Sequence, residues 1–506
     1  ITTILCPASH SLPAPNSSLA SIARLKSLTH TSPQPPKLHM LTNDETLHFI
    51  AQHRNDNVPQ LALAKHNTPN IDLPFALDQI AGWQTACQKL PSWAENPNIL
   101  YPPHLSMEQC SSQTTAQYKA DVVWQITNNL ILKGETHKAK HNTTNDEQLI
   151  NKCEHTSFVD LTGGFGVDFS FIAQRFAHAT YVEHQQQLCQ LALHNLQALN
   201  LNQAEVVCCE AESYLERMQY VSCIYLDPAR RDKNGAKTVL IEHCSPNVLE
   251  LLPKLLAKCK VLAVKLSPML HWQLALVKLR ELGAWVRQLH IVAVKNECKE
   301  LLFLITNGSY EDNGNNHSTN KNSANTPLNN LNFKGEQNVS TTKDTEITCY
   351  NDGACFRYML AEAENTPQTT LQTNPQAGMF LYEPHAAIMK SGCFGLLCSR
   401  MGVQAFAPNS HLFVSNNEVP NFPGRAFKLV SVSTFNKREL KTALQGIEKA
   451  NIATRNFPLK PDALRKKLKL KDGGEHYLFA TTDAEGKHWL LVGKQCHAHC
   501  LSPNVE

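Results

Sequence analysis

The residues best equipped for chemistry lie in a few short stretches. One is Val159-Asp160-Leu161-Thr162-Gly163-Gly164-Phe165-Gly166-Val167-Asp168. Glycines at this density let a ligand approach the backbone where a Cβ would collide. A helix starting just after them offers unsatisfied N–H groups to a carboxylate or phosphate. Asp160, Thr162, Gly164 and Gly166 are the candidate contacts. Glu183 follows 23 residues after Asp160. An acid so placed can accept from both hydroxyls of a ribose, or can simply be a surface glutamate at a strand end. Glu210, in Cys208-Cys209-Glu210-Ala211, can accept from an adenine amine or cap the next helix, with Glu212 a near competitor. Asp227-Pro228-Ala229-Arg230-Arg231 combines a carboxylate that can orient a nucleophile with two arginines that can hold a phosphate. Lys265-Leu266-Ser267-Pro268 brings a cation that can line the same crevice.

These stretches need a scaffold that gathers them. From 157 to 306, short apolar runs alternate with amphipathic helical patterns. The runs are Phe158–Leu161, Thr180–Glu183, Glu205–Cys208, Cys223–Leu226, Val261–Lys265, Trp285–Val294 and Glu300–Thr306. Such alternation predicts a parallel, doubly wound sheet. Only Lys295–Lys299 separates the last two runs, too little for a helix, so they should form an antiparallel hairpin. In an open sheet of this kind ligands bind at the carboxyl ends of strands near the switch point, which is where Asp160 and Asp227 end their runs. Seven strands with a reversed last one is the class I methyltransferase pattern. The glycine stretch has no Gly-Lys-Ser/Thr, and Thr162 replaces the first glycine of G-x-G-x-x-G. It reads best as D-x-x-x-G-x-G, the loop that holds S-adenosylmethionine, although a glycine-rich turn of another α/β fold is also possible.

Around this core, residues 40–132 read as helices broken at Pro91 and Pro102-Pro103, and 133–152 as a polar loop. Residues 309–345 hold ten asparagines in 37 positions and predict a flexible insert. Residues 346–424 form a small mixed region, and 425–495 a small α+β domain. Residues 1–39 lack periodicity and are expected to be a disordered extension.

Several motifs together resemble the bacterial class I S-adenosylmethionine-dependent methyltransferases that carry a C-terminal THUMP-like domain. They are EQCSSQTTAQYKA (Glu108–Ala120), DLTGGFGVDF (Asp160–Phe169), DPARR (Asp227–Arg231), KLSPML (Lys265–Leu270) and KNECKE (Lys295–Glu300). YEPHAAIMKSG (Tyr382–Gly392), FPGRAF (Phe422–Phe427) and RNFPLKPDALRKKLKLKDGG (Arg455–Gly474) complete the set. The resemblance implies a seven-stranded Rossmann-like domain at 153–308, preceded by the helices at 40–132. It implies a ferredoxin-like region within 346–424 and the THUMP-like domain at 425–495. It further implies S-adenosylmethionine as cofactor and RNA, tRNA or rRNA, as substrate, with methyl transfer to a base. One departure stands out: amino-methylating nucleic-acid enzymes carry Asp/Asn-Pro-Pro-Tyr/Phe, and here Ala229 and Arg230 replace the second proline and the aromatic.

The tail supplies the residue-level argument for RNA. Between Asn451 and Lys471 there are seven lysines and arginines against one acid, Asp462. Arg465, Lys466 and Lys467 head that basic surface, and Phe457 is a candidate stacking partner. A solvated helix face is the plain alternative. Net charge is only +3, so local charge carries the case. The 17 cysteines follow no framework spacing and suggest reduced thiols in a cytoplasmic protein. Cys496-His497-Ala498-His499-Cys500 packs its ligands too closely for one tetrahedral ion, so no metal is expected. No Pro-Cys pair falls near the strand ends, which argues against methylation through a cysteine adduct. No run of about 18 apolar residues exists to span a membrane, and no obligate protein partner is implied. The expected function is RNA methylation with Asp227 placing the nucleophile. The alternatives are methylation of a protein or small molecule, or an inactive RNA-binding protein with the same fold.

Overall fold

The computed structural model describes residues 3–5, 42–64, 70–135, 155–230, 240–308 and 344–496. They form two compact units, one built mainly from residues up to 265 and one mainly from 285 onward.

In the first unit, helices come first. Asn43 caps α1 (Asp44–His53) by accepting from the Thr46 amide, as an Asn N-cap does. Helices α2 (Val58–Leu63), α3 (Leu73–Lys89) and α4 (Pro91–Ala94) follow. Beyond Pro102-Pro103 the chain forms two helices, α5 (His104–Gln109) and α6 (Gln113–Glu135). The break has a local cause: the Ser112 hydroxyl accepts from the Thr115 amide, a side-chain cap that starts a new helix. Apolar residues here close over the glycine stretch, with Trp93 meeting Phe165 edge-on at 5.1 Å.

The strands of this unit are β1 (Thr3–Leu5), β2 (Ser157–Asp160), β3 (His178–Glu183), β4 (Ala204–Cys208), β5 (Val221–Leu226), the short pair β6 (Ala229–Arg230) and β7 (Cys244–Ser245), and β8 (Cys259–Leu266). β4, β3, β2, β5 and β8 lie side by side in that order, all parallel. Their alternating helices are α7 (Val167–Ala173), α8 (Gln186–Ala198), α9 (Ala211–Arg217), α10 (Val248–Lys258) and α11 (Trp272–Glu281). Residues of β5 and β8 are almost wholly buried, as strands covered on both faces must be. The N-terminal stretch departs from expectation at residues 3–5, which pair in parallel with β4. Three residues are too few for a readable period; the rest of 1–39 lies outside the described residues, as do 136–154 and 309–343.

In the second unit, β9 (Ala284–Val294) and β10 (Glu297–Asn307) are the last two expected strands. Their two-residue turn places Lys295 and Asn296 at φ 52° and 58°, the left-handed pair a tight hairpin requires. β11 (Glu346–Asn351) and β12 (Ala354–Met359) extend the same sheet, β11 pairing in parallel with β9. The sequence assigned these two strands to the small mixed region; they are a continuation of the β9 ladder, because Ile347 and Cys349 are apolar on the buried side.

A seven-stranded sheet completes the unit, in the order β14-β15-β13-β16-β19-β18-β17. Its strands are β13 (Phe380–Pro384), β14 (Gln404–Ala405), β15 (Phe413–Ser415), β16 (Gly424–Thr434), β17 (Asn451–Arg455), β18 (His476–Thr482) and β19 (His488–Gln495). Two helices sit between the later strands, α15 (Lys437–Ala443) and α16 (Pro461–Leu468), counting α12 (Leu360–Glu364), α13 (Ala386–Ser391) and α14 (Phe394–Met401) before them. Helix α15 stops at Ala443, and β17 follows. Two tail motifs acquire a structural use here. Glu383 of YEPH and Arg425 of FPGRAF are cross-strand partners in the β13–β16 register, and the buried Glu383 carboxylate is paired by Arg425 and, at 2.6 Å, by Arg455.

Candidate cofactor and transfer site

The site forms where β2, β5 and β8 end. The β5–β8 register pairs Leu226 with Val264, so Asp227 and Lys265 leave neighbouring strands side by side. From Asp160 the chain turns through the glycines into α7. Gly166 takes φ 84° as the cap of α7, a conformation other residues rarely adopt. Gly163 meets a different constraint: a Cβ there would lie 2.2 Å from the Tyr181 ring. The loop is then fixed by its own bonds. Thr162 donates both its amide, at 2.9 Å, and its hydroxyl, at 3.2 Å, to Asp160 Oδ1. The Asp227 amide donates to Thr162 Oγ1 at 2.7 Å, tying the loop to the end of β5.

An open cleft results, lined by Gln109–Ser111, Asp160, Thr162–Asp168, Leu188, Tyr225, Asp227 and Lys265. The structure thus brings together Asp160, Thr162, Gly164, Gly166, Asp227 and Lys265. Glu183 is buried against the glycine loop and is not among the residues lining the cleft, with Oε2 accepting from the Gly164 amide at 3.0 Å and Oε1 from the Gln185 amide at 2.9 Å. It holds the loop in place, and Oε1 also lies 3.0 Å from His184 Nδ1. Glu210 is exposed at the start of α9 and is not among the residues lining the cleft. Arg230 lies in β6, whose side chain is not described, and Arg231 lies outside the described residues.

The sequence reading missed the charge network beneath Asp227. Asp168 is buried in the first turn of α7. Its Oδ2 accepts from Tyr225 at 2.7 Å and Ser111 at 3.0 Å, and its Oδ1 lies 3.2 Å from Lys119 Nζ. Lys119 is fully buried and also donates to Ser111 Oγ at 3.1 Å. Lys265 Nζ sits 2.5 Å from Asp227 Oδ2, 3.4 Å from Ser111 Oγ and 3.6 Å from Asp168 Oδ2. Burial alone would raise the Asp168 pKa, but Lys119 and Lys265 more than offset it and hold the carboxyl at about 2. Asp160 has no such cation beside it. Burial raises it to about 8, against the opposing pull of the Thr162 amide. Cys110 also reaches the cleft, a cysteine with no proline beside it. Burial pushes its thiol up, away from the thiolate a covalent mechanism needs.

On the C-terminal domain, Arg465 pairs with Asp462 at 2.8 Å and with Asp472 at 2.5 Å, while Lys466 and Lys467 are exposed. Phe457 packs against Phe435 at 4.9 Å and His488 at 5.1 Å, so it is a wall of the domain's own core and not an open stacking platform. Among the described residues no cluster of side chains suits a metal ion, and no helix is long and apolar enough to cross a membrane.

Residues 424–495 match a family model described as THUMP domain-like, and residues 380–423 match one described as a ferredoxin-like domain. A candidate methyltransferase of Porphyromonas gingivalis W83 is 27% identical. It aligns with a TM-score of 0.69 over 90% of this chain and 98% of its own. The chain has a class I methyltransferase fold with a THUMP-like C-terminal domain. A candidate methyltransferase of Streptococcus mutans solved with SAH is 13% identical, covering 33% of this chain and 99% of its own with a TM-score of 0.25. A candidate RNA methyltransferase of Pyrococcus horikoshii is 14% identical, covering 32% and 78% with a TM-score of 0.25. The last two scores are too low to bear on this chain. No curated protein matches it. The methyltransferase domain therefore owns the glycine loop and the Asp227–Lys265 pair, and the THUMP-like domain owns the basic helix.

Proposed function

We propose that this protein is an S-adenosylmethionine-dependent methyltransferase that acts on RNA. The observation that carries the reading is the cleft at the ends of β2 and β5, where a positive-φ glycine loop, two buried carboxylates and an exposed-edge carboxylate converge. The residues fit the cofactor. A side chain at Gly163 would displace Tyr181 and close the loop, so the cradle depends on glycine. Glu183 suits the ribose hydroxyls, the loop suits the nucleoside passing close to the backbone, and Asp160 suits an ammonium group. The high proton affinity that burial gives Asp160 would fall beside such a cation.

S-adenosylmethionine supplies an electrophilic methyl group on a cationic sulfur. The chain does the rest. Thr162 fixes the Asp227 backbone, and Lys265 fixes its carboxylate. Held this way, Asp227 accepts a hydrogen bond from the substrate nucleophile and aims it for in-line attack. Lys466 and Lys467, together with Lys460, Lys469 and Lys471 on the same exposed stretch, form the surface that engages RNA phosphates. Arg230 and Arg231 are assigned to phosphate beside the acceptor.

Titration calorimetry of the full chain with S-adenosylmethionine tests the cofactor. Tritium transfer from labelled S-adenosylmethionine to total RNA of a strain deleted for this gene tests the substrate. Label in one RNA size class, lost in Asp227→Ala, supports the reading. Cofactor binding without transfer to RNA rules out RNA as acceptor, and absence of cofactor binding rules out the enzyme.

A further inference from the structure

We infer that the acceptor atom is a ribose 2′-hydroxyl oxygen of the RNA, and that Lys265 and Asp227 act on it as a pair. This rests on the RNA methyltransferase reading and names the atom within it.

The two side chains leave adjacent parallel strands at the same level, with Nζ 2.5 Å from Oδ2. Lys265 is 13% exposed and Asp227 40%, so the pair meets the cleft through the carboxylate, with the ammonium just behind. Behind it again, Ser111, Asp168 and the buried Lys119 fix the amine's position. An ammonium here is ill suited to a base nitrogen. Such a nucleophile attacks with one lone pair, and a neighbouring N–H donor would occupy it. It also wants an aromatic surface to hold the extruded ring. Among the described residues lining the cleft, the aromatic side chains are Phe165 and Tyr225, and both are buried. Phe165 lies against Trp93, and the Tyr225 hydroxyl is spent on Asp168. The position two residues after Asp227 is Ala229, which offers no ring.

A hydroxyl has the opposite needs. It is a weak nucleophile until its proton is drawn away, and it develops negative charge as that happens. Oxygen carries two lone pairs, so it can accept from an ammonium and still attack with the other. The 2′-hydroxyl is also the group by which a site tells RNA from DNA. In the step inferred, Asp227 takes the hydroxyl proton while Lys265 donates to the oxygen. The oxygen's other lone pair forms the new O–CH3 bond as the methyl carbon's bond to sulfur breaks and its pair returns to sulfur, while the O–H bond's pair stays on oxygen in place of the proton that Asp227 takes. The products are a methyl ether, a neutral thioether and a protonated Asp227, which releases its proton to water through its exposed side.

The test uses the full-length protein, tritium-labelled S-adenosylmethionine and total RNA from the deletion strain, followed by exhaustive alkaline hydrolysis. A 2′-O-methyl group blocks cleavage of its linkage, so the expected label is in alkali-stable dinucleotides. Label in mononucleotides overturns this inference and leaves RNA methylation standing; no label in RNA overturns both. Lys265→Met is expected to lower transfer roughly 100-fold with cofactor affinity by calorimetry unchanged, and Lys265→Arg to recover part of it. Full transfer by a folded Lys265→Met protein, cofactor affinity intact, overturns the role given to the amine. If Lys265→Met does not fold, Lys265→Arg decides the role: unchanged label position and partial activity support it, and undiminished activity in mononucleotides removes it.

Discussion

Lys119 and Lys467 are both helical lysines, and the molecule treats them in opposite ways. Lys119 is fully buried on α6, with its amine between Asp168 and Ser111. Lys467 is exposed on α16, in a helix where the neighbouring Arg465 pairs with acids that are themselves 90% and 75% exposed. A buried ion must be compensated by partners in good geometry, so its neighbours are fixed as firmly as it is. An exposed ion is compensated by water and salt, so it is available to a polyanion and contributes little to folding. The difference separates a site that positions atoms from a surface that collects charge.

The sharpest way to break this contrast is to remove a partner from the buried side. Asp168→Ala leaves the Lys119 and Lys265 amines without the carboxylate between them. The expected loss of stability is about 3–5 kcal/mol, read as a lower urea midpoint. Lys467→Ala should leave that midpoint unchanged. Equal midpoints for wild type and Asp168→Ala would show that the network is not what holds this end of the domain.

Gly163→Ala comes next. The new Cβ would collide with the Tyr181 ring at 2.2 Å, and overpacking of this kind costs about 1–3 kcal/mol. Because the ring and the loop must part, affinity for S-adenosylmethionine should drop more than tenfold, measured by calorimetry. An unaltered affinity would mean the loop does not form the cradle.

The two buried aspartates give opposite pH slopes. Asp160, raised to about 8 by burial, keeps a proton in the folded chain that the unfolded chain, with its value near 3.8, has lost. Stability on its account falls as pH rises from about 4 to 8, and Asp160→Asn should flatten that part of the profile. For Asp168, burial is outweighed by Lys119 and Lys265, which hold it at about 2. Its contribution is full above the unfolded value and is lost as pH falls from about 4 toward 2. Urea midpoints measured across pH for the two asparagine variants separate these effects, and matching profiles would refute the assignment.

Local pattern made the scaffold legible and left the network hidden. Each expected strand between 157 and 306 is present, because apolar runs broken by glycine and aspartate turns are a short-range signal. The Lys119–Asp168 pair joins residues 49 apart, which no window reads. An aspartate in the first turn of a helix looks like a partner of the helix dipole, and α7 shows that appearance while burying the carboxylate against two amines. For the same reason Glu183 was legible as a strand-end acid but not as the acceptor that braces Gly164. β17 was missed because Asn451–Arg455 is half-buried throughout and shows no alternation. Phe457 reads as an exposed aromatic among cations only when Phe435 and His488, 22 residues before it and 31 after, are out of view.

The exposed side of the comparison is tested by salt. If Lys466 and Lys467 meet phosphates, each alanine substitution should weaken RNA binding about equally for different RNAs. Each should also reduce the slope of log affinity against log salt by about one. Arg465→Ala should change that slope less, because its guanidinium is already engaged by Asp462 and Asp472 and must leave them to reach a phosphate. Filter binding of full-length protein at several salt concentrations measures all three. A larger change for Arg465 than for either lysine would mean that the arginine abandons both acids on binding, and that the helix presents itself to RNA in a different arrangement from the one in the free protein.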